Sequence, residues 1–152
     1  MTDTEYLIST DPTRLDLHLI HQFLSEHSYW ARGIPRDVVA RSISNSLCFG
    51  AYALENADSD WRQVGFARVA TDRATFAYLA DVFVLPEHRG QGLSKRLMEA
   101  VLGHPDLQGL RRWLLATADA HELYRRFGFT GLAQPGNFMQ RHDPNVYGAV
   151  AS

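Results

Sequence analysis

This 152-residue sequence lacks several features that would place it in a broad functional class. Its single cysteine, Cys48, excludes an intramolecular disulfide and is weakly typical of a reducing compartment. No apolar run is long enough to span a bilayer, and no charged-then-apolar leader follows Met1, so we expect a cytoplasmic protein with no membrane partner. The formal net charge of −2 provides no basic field, so we expect no nucleic-acid partner either.

Internal repeats, low-complexity tracts and Pro/Ser-rich linkers are also missing. The length and the apolar fraction of 45% therefore predict one domain over residues 1–152. Its core is expected at about 5–142, with a loosely ordered tail after Asp143.

Metal ligands and reactive thiols are sparse as well. His18 and His21 lie three apart on a predicted helix, but no carboxylate or cysteine nearby completes a site, so we predict no metal. Cys48 lies in an apolar run, and no neighbouring residue would lower its pKa. We therefore predict that Cys48 packs in the core rather than acting as a nucleophile.

Apolar runs bounded by turn signals predict seven strands. They lie at 6–9, 47–54, 62–70, 75–84 and 111–117, followed by a last pair around Pro135-Gly136. The polar stretch 56–60 favours an antiparallel hairpin between the second and third strands. A crossover helix should make the fourth and fifth strands parallel. We expect an α/β (α+β) fold with a mixed, mostly antiparallel sheet of about seven strands.

The helix signals are equally local. The first helix is predicted to begin at a cap on Asp11 or Thr13, and further helices are predicted at 35–44, 93–102 and 119–127. In the last of these, Asp119 with Glu122 three residues later is typical of a capping box. Gly128 is well placed as the residue that ends that helix.

The stretch from Asp81 to Leu102 combines a strand, a glycine-rich turn and an amphipathic helix. Two glycines one residue apart, Gly90 and Gly92, allow backbone conformations that other residues avoid. A turn of this kind leading into a helix presents unpaired N–H groups and the positive end of the helix dipole. It therefore predicts an anion site, and a pyrophosphate fits it best.

Asp81 is unexpected, because the strand around it is otherwise apolar. It is either a satisfied carboxylate that ties strand to loop, or a functional group that contacts a substrate amine or acts as a base. A regular pleat would place it on one face with Ala77, Leu79 and Phe83. The opposite face would then carry Phe76, Tyr78, Ala80, Val82 and Val84.

Two aromatics and an arginine, Tyr29, Trp30 and Arg32, interrupt the helical pattern after the first helix. A loop of this composition is typical of recognition when a rigid scaffold positions it. The alternative is that the two aromatics cap the edge of the core.

Two motifs together resemble those of the GCN5-related N-acetyltransferase (GNAT) superfamily. The first is Arg89-Gly90-Gln91-Gly92-Leu93-Ser94, in which Ser94 replaces the Gly or Ala of the family pattern. The second is the segment 123–129, with sequence LYRRFGF, one strand and one helix later. The resemblance covers nearly the whole chain and implies a GNAT fold, with helices on both faces of the sheet and a splayed parallel pair formed by strands four and five.

The resemblance implies acetyl-CoA as the co-substrate of an N-acetyltransferase. The pyrophosphate would lie on the amides of residues 89–94, with Lys95 beside them. The pantetheine would pair with the fourth strand at Val82, Phe83 and Val84, next to a bulge near Ala80 to Val82. Tyr124 occupies the family's general-acid position. Candidate general bases are Asp81 first, then Glu55, His121 and Glu122, unless a water chain removes the proton.

The acceptor is expected to be a small amine or amino acid, or a protein amino group. The residues proposed to bind it are Tyr29, Trp30, Arg32, Phe76 and Tyr78. The resemblance is also compatible with a homodimer. A second hypothesis from another class is a non-catalytic, acyl-CoA-binding regulatory module. It is motivated by the departure at Ser94 and by the lack of a clear base.

Overall fold

A computed structural model describes residues 4–148 of the chain. Its sheet has five strands in the order β1-β2-β3-β4-β5. The strands are β1 Glu5–Ser9, β2 Leu47–Leu54, β3 Arg62–Thr71, β4 Phe76–Val84 and β5 Arg112–Leu115. The first four pair antiparallel with their neighbours, and β5 runs parallel to β4. The predicted hairpin and the predicted parallel pair are therefore confirmed.

Four α-helices accompany the sheet over these residues. They are α1 Leu17–Gln22, α2 Arg36–Ser44, α3 Leu93–Gly103 and α4 His121–Arg125, and α1 continues into a π-helical turn at Phe23–His27. Helix α1 begins later than predicted, because Asp11 caps a separate 3₁₀ turn at Pro12–Arg14. Asp16 is the residue that caps α1, accepting from the Leu19 N–H at 3.0 Å.

The sheet has a core on each face, so helices cover both sides as predicted. Helix α3 packs against one face, where Leu97, Met98 and Val101 are fully buried against β2, β3 and β4. On the other face, α1 and α2 bury Ile20 and Val39 in a second core. No helix within residues 4–148 is long and apolar enough to cross a membrane.

Strand β4 contains a bulge opposite β3. Phe66 pairs with Phe83 and Arg68 with Ala80, so Ala67 alone lies opposite two residues, Asp81 and Val82. Asp81 has φ +57°, in the left-handed region that Asp tolerates better than most residues. The bulge expected near Ala80 to Val82 is therefore confirmed.

The extra residue exchanges the faces of β4 beyond it. Val82 and Val84 pack in the same core as Ala77 and Leu79, whereas Phe83 packs on the opposite side. The predicted alternation, which put Val82 and Val84 on the face of Phe76, is therefore wrong beyond Asp81. A bulge shifts the side-chain period by one residue, which moves every later side chain to the other face.

The last predicted pair of strands does not form within residues 4–148. Residues 129–148 are irregular apart from a 3₁₀ turn at Pro135–Asn137, so the sheet has five strands rather than about seven. Gly131, Pro135 and Gly136 lie close together here, and both residue types weaken strand pairing. Of the tail predicted to be loosely ordered, residues 144–148 form turns. The remainder, and residues 1–3 of the predicted domain, lie outside the described residues.

Helix α4 is shorter than predicted, and its N-cap residue, Ala120, provides no side-chain cap. The Thr117 hydroxyl accepts from the Ala120 N–H at 3.0 Å, and Glu122 pairs with Arg125 one turn later, so the capping box predicted for Asp119 and Glu122 is wrong. Gly128 ends the helix as predicted, with φ +91°. It forms a Schellman motif, in which the next residue's N–H reaches back to the Tyr124 carbonyl at 3.2 Å.

Candidate active site

A gap opens between β4 and β5 near the carboxyl end of β4. Pairing of the two strands runs from Phe76 with Arg112 to Leu79 with Leu115 and ends there, although β4 continues to Val84. On its other edge this part of β4 still pairs with β3. Within residues 4–148 the edge of 80–84 that faces β5 has no strand partner. Because unpaired backbone groups need partners, this edge is suited to binding an extended ligand.

The glycine turn lies directly beyond the end of β4. Gly90 and Gly92 have φ +79° and +75°, and a Cβ on either would meet nothing within 4 Å. The glycines are therefore required by the backbone conformation and leave open space above the turn. The Arg89 Nε donates to the Val84 carbonyl at 3.1 Å, which fastens the turn to the strand.

The N-terminus of α3 follows without a side-chain cap. Gly92 is the N-cap residue, and the first helical bond runs from the Arg96 N–H to the Gly92 carbonyl at 3.1 Å. The N–H groups of Leu93, Ser94 and Lys95 precede that bond, and the first turn contains no acidic side chain. Unpaired N–H groups and the helix dipole give this helix start the chemistry that suits a phosphate.

Tyr124 lies on α4, which the end of β5 leads into. Its ring is 8% exposed and packs edge-to-face on Phe129, with centroids 6.0 Å apart. Burial raises the pKa of Tyr124 to about 12, and the neighbouring Tyr29 and Asp119 add to the effect. The phenol therefore keeps its proton at neutral pH and is available as a donor.

Asp81 is held on both carboxylate oxygens. The Trp30 indole N–H donates to Oδ1 at 2.8 Å, and the Arg68 Nε donates to Oδ2 at 2.8 Å in a largely buried ion pair. Arg68 also donates to the Ser46 hydroxyl at 3.2 Å. These contacts are those of a satisfied carboxylate that ties strand to loop, and a direct role of Asp81 toward a substrate amine stays a prediction.

Tyr29 reaches the opposite side of the gap. Its hydroxyl accepts from the Ala118 N–H, just beyond β5, at 2.8 Å, and its ring lies edge-to-face with Trp30 at 5.0 Å. Arg32 is exposed in the same loop. The structure thus places Tyr29, Trp30 and Asp81 around one opening.

Phe76 and Tyr78 lie elsewhere, in the part of β4 that is still paired with β5. Phe76 is five residues before Asp81, which is about 16 Å along a strand. Tyr78 instead lines a cavity of ≈1070 Å³ along the free edge of β5, which also reaches Tyr124 and His121. That cavity includes neither the glycine turn nor Phe76, so Tyr78 shares a cavity with Tyr124, whereas Phe76 lies apart from both.

Two of the other candidate bases, Glu55 and Glu122, form exposed ion pairs, whereas His121 lines the same cavity as Tyr124. Glu55 forms an exposed ion pair with Arg62 at 2.6 Å, and Glu122 pairs with Arg125 on the surface of α4.

Cys48 is buried, and burial raises the pKa of its thiol to about 11, which confirms core packing. Within residues 4–148 no three His, Cys, Asp or Glu side chains are grouped to hold a metal ion.

Sequence reasoning missed Arg68, Ser46 and Ala118. Arg68 carried a usable signal, because it is a charged residue inside the otherwise apolar third strand. An arginine and an aspartate in strands predicted to be neighbours are expected to pair when both are buried. The role of Ala118 depends on its backbone N–H and had no signal in the sequence.

Comparison with known proteins places this arrangement in a family. A profile described as an acetyltransferase (GNAT) domain matches residues 50–131. A Gibberella zeae protein provisionally named an acetyltransferase is 36% identical over 140 residues, covering 81% of this chain and 77% of that protein. A Xanthomonas campestris pv. campestris crystal structure, provisionally assigned to the GNAT acetyltransferases, is 55% identical with a TM-score of 0.89, covering 95% of this chain and 98% of that one.

A more distant structure shows the fold alone. A Clostridium acetobutylicum protein, assigned by prediction as an acetyltransferase and solved with acetyl-CoA, has a TM-score of 0.62 at 16% identity. The match covers 92% of this chain and 96% of that one.

Proposed function

Because this chain belongs to the GNAT family of acetyltransferases, we propose that it transfers the acetyl group of acetyl-CoA to the amino group of a small amine or amino acid. The observation that carries the proposal is the junction of the β4–β5 gap with the glycine turn and the uncapped start of α3. A thioester on a long, pyrophosphate-bearing arm needs an open strand edge at one end and an anion site at the other.

The residues present fit coenzyme A chemically. Its pyrophosphate would be held by the N–H groups at the start of α3, with positive charge from Arg89 and Lys95. Its pantetheine arm carries amides, which match the backbone of Val82 to Val84 on the side of β4 that β5 leaves open. Ser94 departs from the family pattern, but serine is small and can also donate to a phosphate.

The reaction is a direct displacement. Acetyl-CoA supplies a thioester carbonyl. A C–N bond forms between this carbonyl carbon and the amine, and the C–S bond breaks. When the amine starts as an ammonium, one proton is released overall. The bulge at Asp81 and Val82 leaves one residue of β4 out of the β3 ladder. We propose that the backbone N–H of this unpaired bulge residue donates a hydrogen bond to the thioester carbonyl oxygen, where negative charge develops.

Tyr124 is the group assigned to the departing sulfur. With a pKa of about 12 the phenol is fully protonated at neutral pH. A thiol has a pKa of about 8.5, so complete proton transfer from the phenol is uphill. In its general-acid role, Tyr124 therefore stabilises the leaving thiolate mainly by donating a strong hydrogen bond rather than by transferring its proton completely.

Proton removal from the amine is assigned to water rather than to Asp81. Both carboxylate oxygens of Asp81 already accept hydrogen bonds, one of them from a guanidinium. Asp81→Asn should therefore leave the kcat of the folded enzyme within about tenfold of wild type, although it removes the anion that pairs with Arg68 and should lower the free energy of unfolding. A fall in kcat of more than about 100-fold, accompanied by loss of the acidic limb of the pH profile, would instead identify Asp81 as the base.

A thiol-release assay with acetyl-CoA tests the proposal, using 2-phenylethylamine, free phenylalanine and spermidine as acceptors. The protein's only cysteine is buried with a raised pKa, so the native protein should add little background. Turnover of at least one amine is expected. Binding of CoA by calorimetry without transfer to any amine would favour the non-catalytic acyl-CoA-binding module. Failure to bind CoA would reject both functions.

A further inference from the structure

The loop of residues 28–35 has a fixed base. The Ser28 hydroxyl donates to the Leu24 carbonyl at 2.6 Å and accepts from the Ala31 N–H at 3.0 Å. Ala31 and Ile34 are buried in the core under α1 and α2. Because these anchors fix the loop from below, the rings of Tyr29 and Trp30 are held at the surface.

The two rings are attached to opposite sides of the β4–β5 gap. Trp30 donates to Asp81 in the bulge of β4, and Tyr29 accepts from Ala118 just after β5. The strands stop pairing at Leu79, so these two side-chain hydrogen bonds connect the strands where the backbone ladder has ended. The edge-to-face contact of the rings closes the connection.

The two attachments differ in strength. The indole N–H of Trp30 binds a carboxylate that is largely buried and already held by Arg68. The hydroxyl of Tyr29 binds a neutral amide and is exposed. Since hydrogen bonds to ionised groups are the stronger class, the Trp30 attachment should contribute more to holding the loop.

We propose that Tyr29 and Trp30 form a clasp that is attached on both sides of the gap. This clasp lines the acceptor site and determines which amines bind there. The inference rests on the proposed acetyl transfer and names its acceptor class: an amine carrying an aromatic or flat apolar group that packs against the two rings. Asp81 and Arg68 are then positioning residues, which act on the acceptor only through Trp30.

The test uses substitutions that remove one donor or acceptor and keep the ring. Trp30→Phe deletes the indole N–H, and Tyr29→Phe deletes the hydroxyl. Trp61→Phe is the matched control, because Trp61 is similarly exposed, 36% against 43% for Trp30, and lies in the β2–β3 loop. Acetylation of 2-phenylethylamine gives the kinetic constants, and hydrogen exchange of the Ala118 amide reports the clasp without requiring activity.

The clasp predicts a split between KM and kcat. Trp30→Phe should raise the KM for 2-phenylethylamine roughly tenfold, the effect of losing one hydrogen bond, with a smaller rise for Tyr29→Phe. We expect kcat, the KM for acetyl-CoA and the control variant to stay within about twofold of wild type. Exchange at Ala118 should accelerate in both clasp variants and not in Trp61→Phe.

Four outcomes would overturn the inference in whole or in part. An unchanged amine KM in both clasp variants would remove its role in selection, and an equal rise in the KM for acetyl-CoA would indicate general loosening instead. Unchanged exchange at Ala118 would show that no clasp exists. If wild type acetylates spermidine but not 2-phenylethylamine, the acceptor class is wrong while the proposed function stands. Absence of all turnover rejects the function, and Ala118 exchange still decides whether the clasp exists.

Discussion

Removal of one hydroxyl from Tyr124 separates its chemical role from its structural one. The ring packs in the core against Phe129, and the phenylalanine variant keeps that contact. The hydroxyl makes no hydrogen bond within residues 4–148, so its deletion should change the free energy of unfolding by less than about 1 kcal/mol. A donor to a leaving group contributes about 10²- to 10⁴-fold, and we expect kcat to fall by about 100-fold or more.

Tyr52 provides a matched control for the same substitution. It is 2% exposed, its hydroxyl is fully buried without a partner among residues 4–148, and burial raises its pKa to about 12, as for Tyr124. It lies on β2, away from the gap. Tyr52→Phe should leave kcat unchanged and stabilise the fold by about 1 kcal/mol, because it removes an unsatisfied polar group.

The pH profile gives a second, independent check on Tyr124. Its pKa is raised above the ordinary value of 10, so the phenol stays protonated until pH approaches 12. The favourable contribution of the protonated phenol to folding is complete below pH 10 and is lost between about pH 10 and 12. Up to about pH 10, activity should therefore show no fall from titration of Tyr124.

The assay is kcat and kcat/KM by thiol release from pH 6 to 10 in wild type and both variants, with urea unfolding for stability. Wild-type kcat in Tyr124→Phe would refute the role at the sulfur. An alkaline limb near pH 8 or 9 that disappears in that variant would leave the role at the sulfur standing but contradict the raised pKa, since it would mean that the phenol titrates far below its buried value. A large loss of activity in Tyr52→Phe would show that the deletion acts through packing.

Two further substitutions test the glycine turn and the ion pair. Gly92→Ala should destabilise the fold by about 1–2 kcal/mol, because Gly92 has a φ of +75°. It should also weaken CoA binding, measured by calorimetry. The control Gly136→Ala should have neither effect. Unchanged CoA affinity in Gly92→Ala would contradict the phosphate site. Arg68→Ala should lower the free energy of unfolding, measured in urea, by about 2–4 kcal/mol, since it leaves a largely buried carboxylate unpaired. Arg62→Ala breaks an exposed ion pair and should lower the free energy of unfolding by less than about 1 kcal/mol. Equal losses in the two arginine variants would argue against burial as the cause.

The strands were predictable wherever an apolar run ends in turn chemistry. The bounds of β2 are those predicted, Leu47 to Leu54, because the run is apolar throughout and a polar loop follows it. The bulge in β4 could not be read from alternation. Ala77, Leu79, Val82 and Val84 are all apolar, so a shift of register leaves the hydrophobic pattern intact. Only the family resemblance indicated it.

The errors near the C-terminal part of the chain arise from competition between local signals. Thr117 and Asp119 are both good capping residues, but neither side chain caps α4, whose N-cap residue is Ala120. The hydroxyl of Thr117 instead accepts from the N–H groups of Asp119 and Ala120 in the turn after β5. The segment after Phe129 alternates weakly and contains glycine and proline, so propensity alone could not decide whether it would pair.

The residue type at position 81 follows from three requirements of the site. The bulge needs a residue that tolerates φ +57°, which favours Gly, Asn or Asp. The loop across the gap needs an acceptor for the Trp30 indole, which excludes Gly. The buried Arg68 needs an anion, which excludes Asn. Only Asp meets all three, so the carboxylate beside the β4–β5 gap is explained by geometry without assigning it a proton to carry.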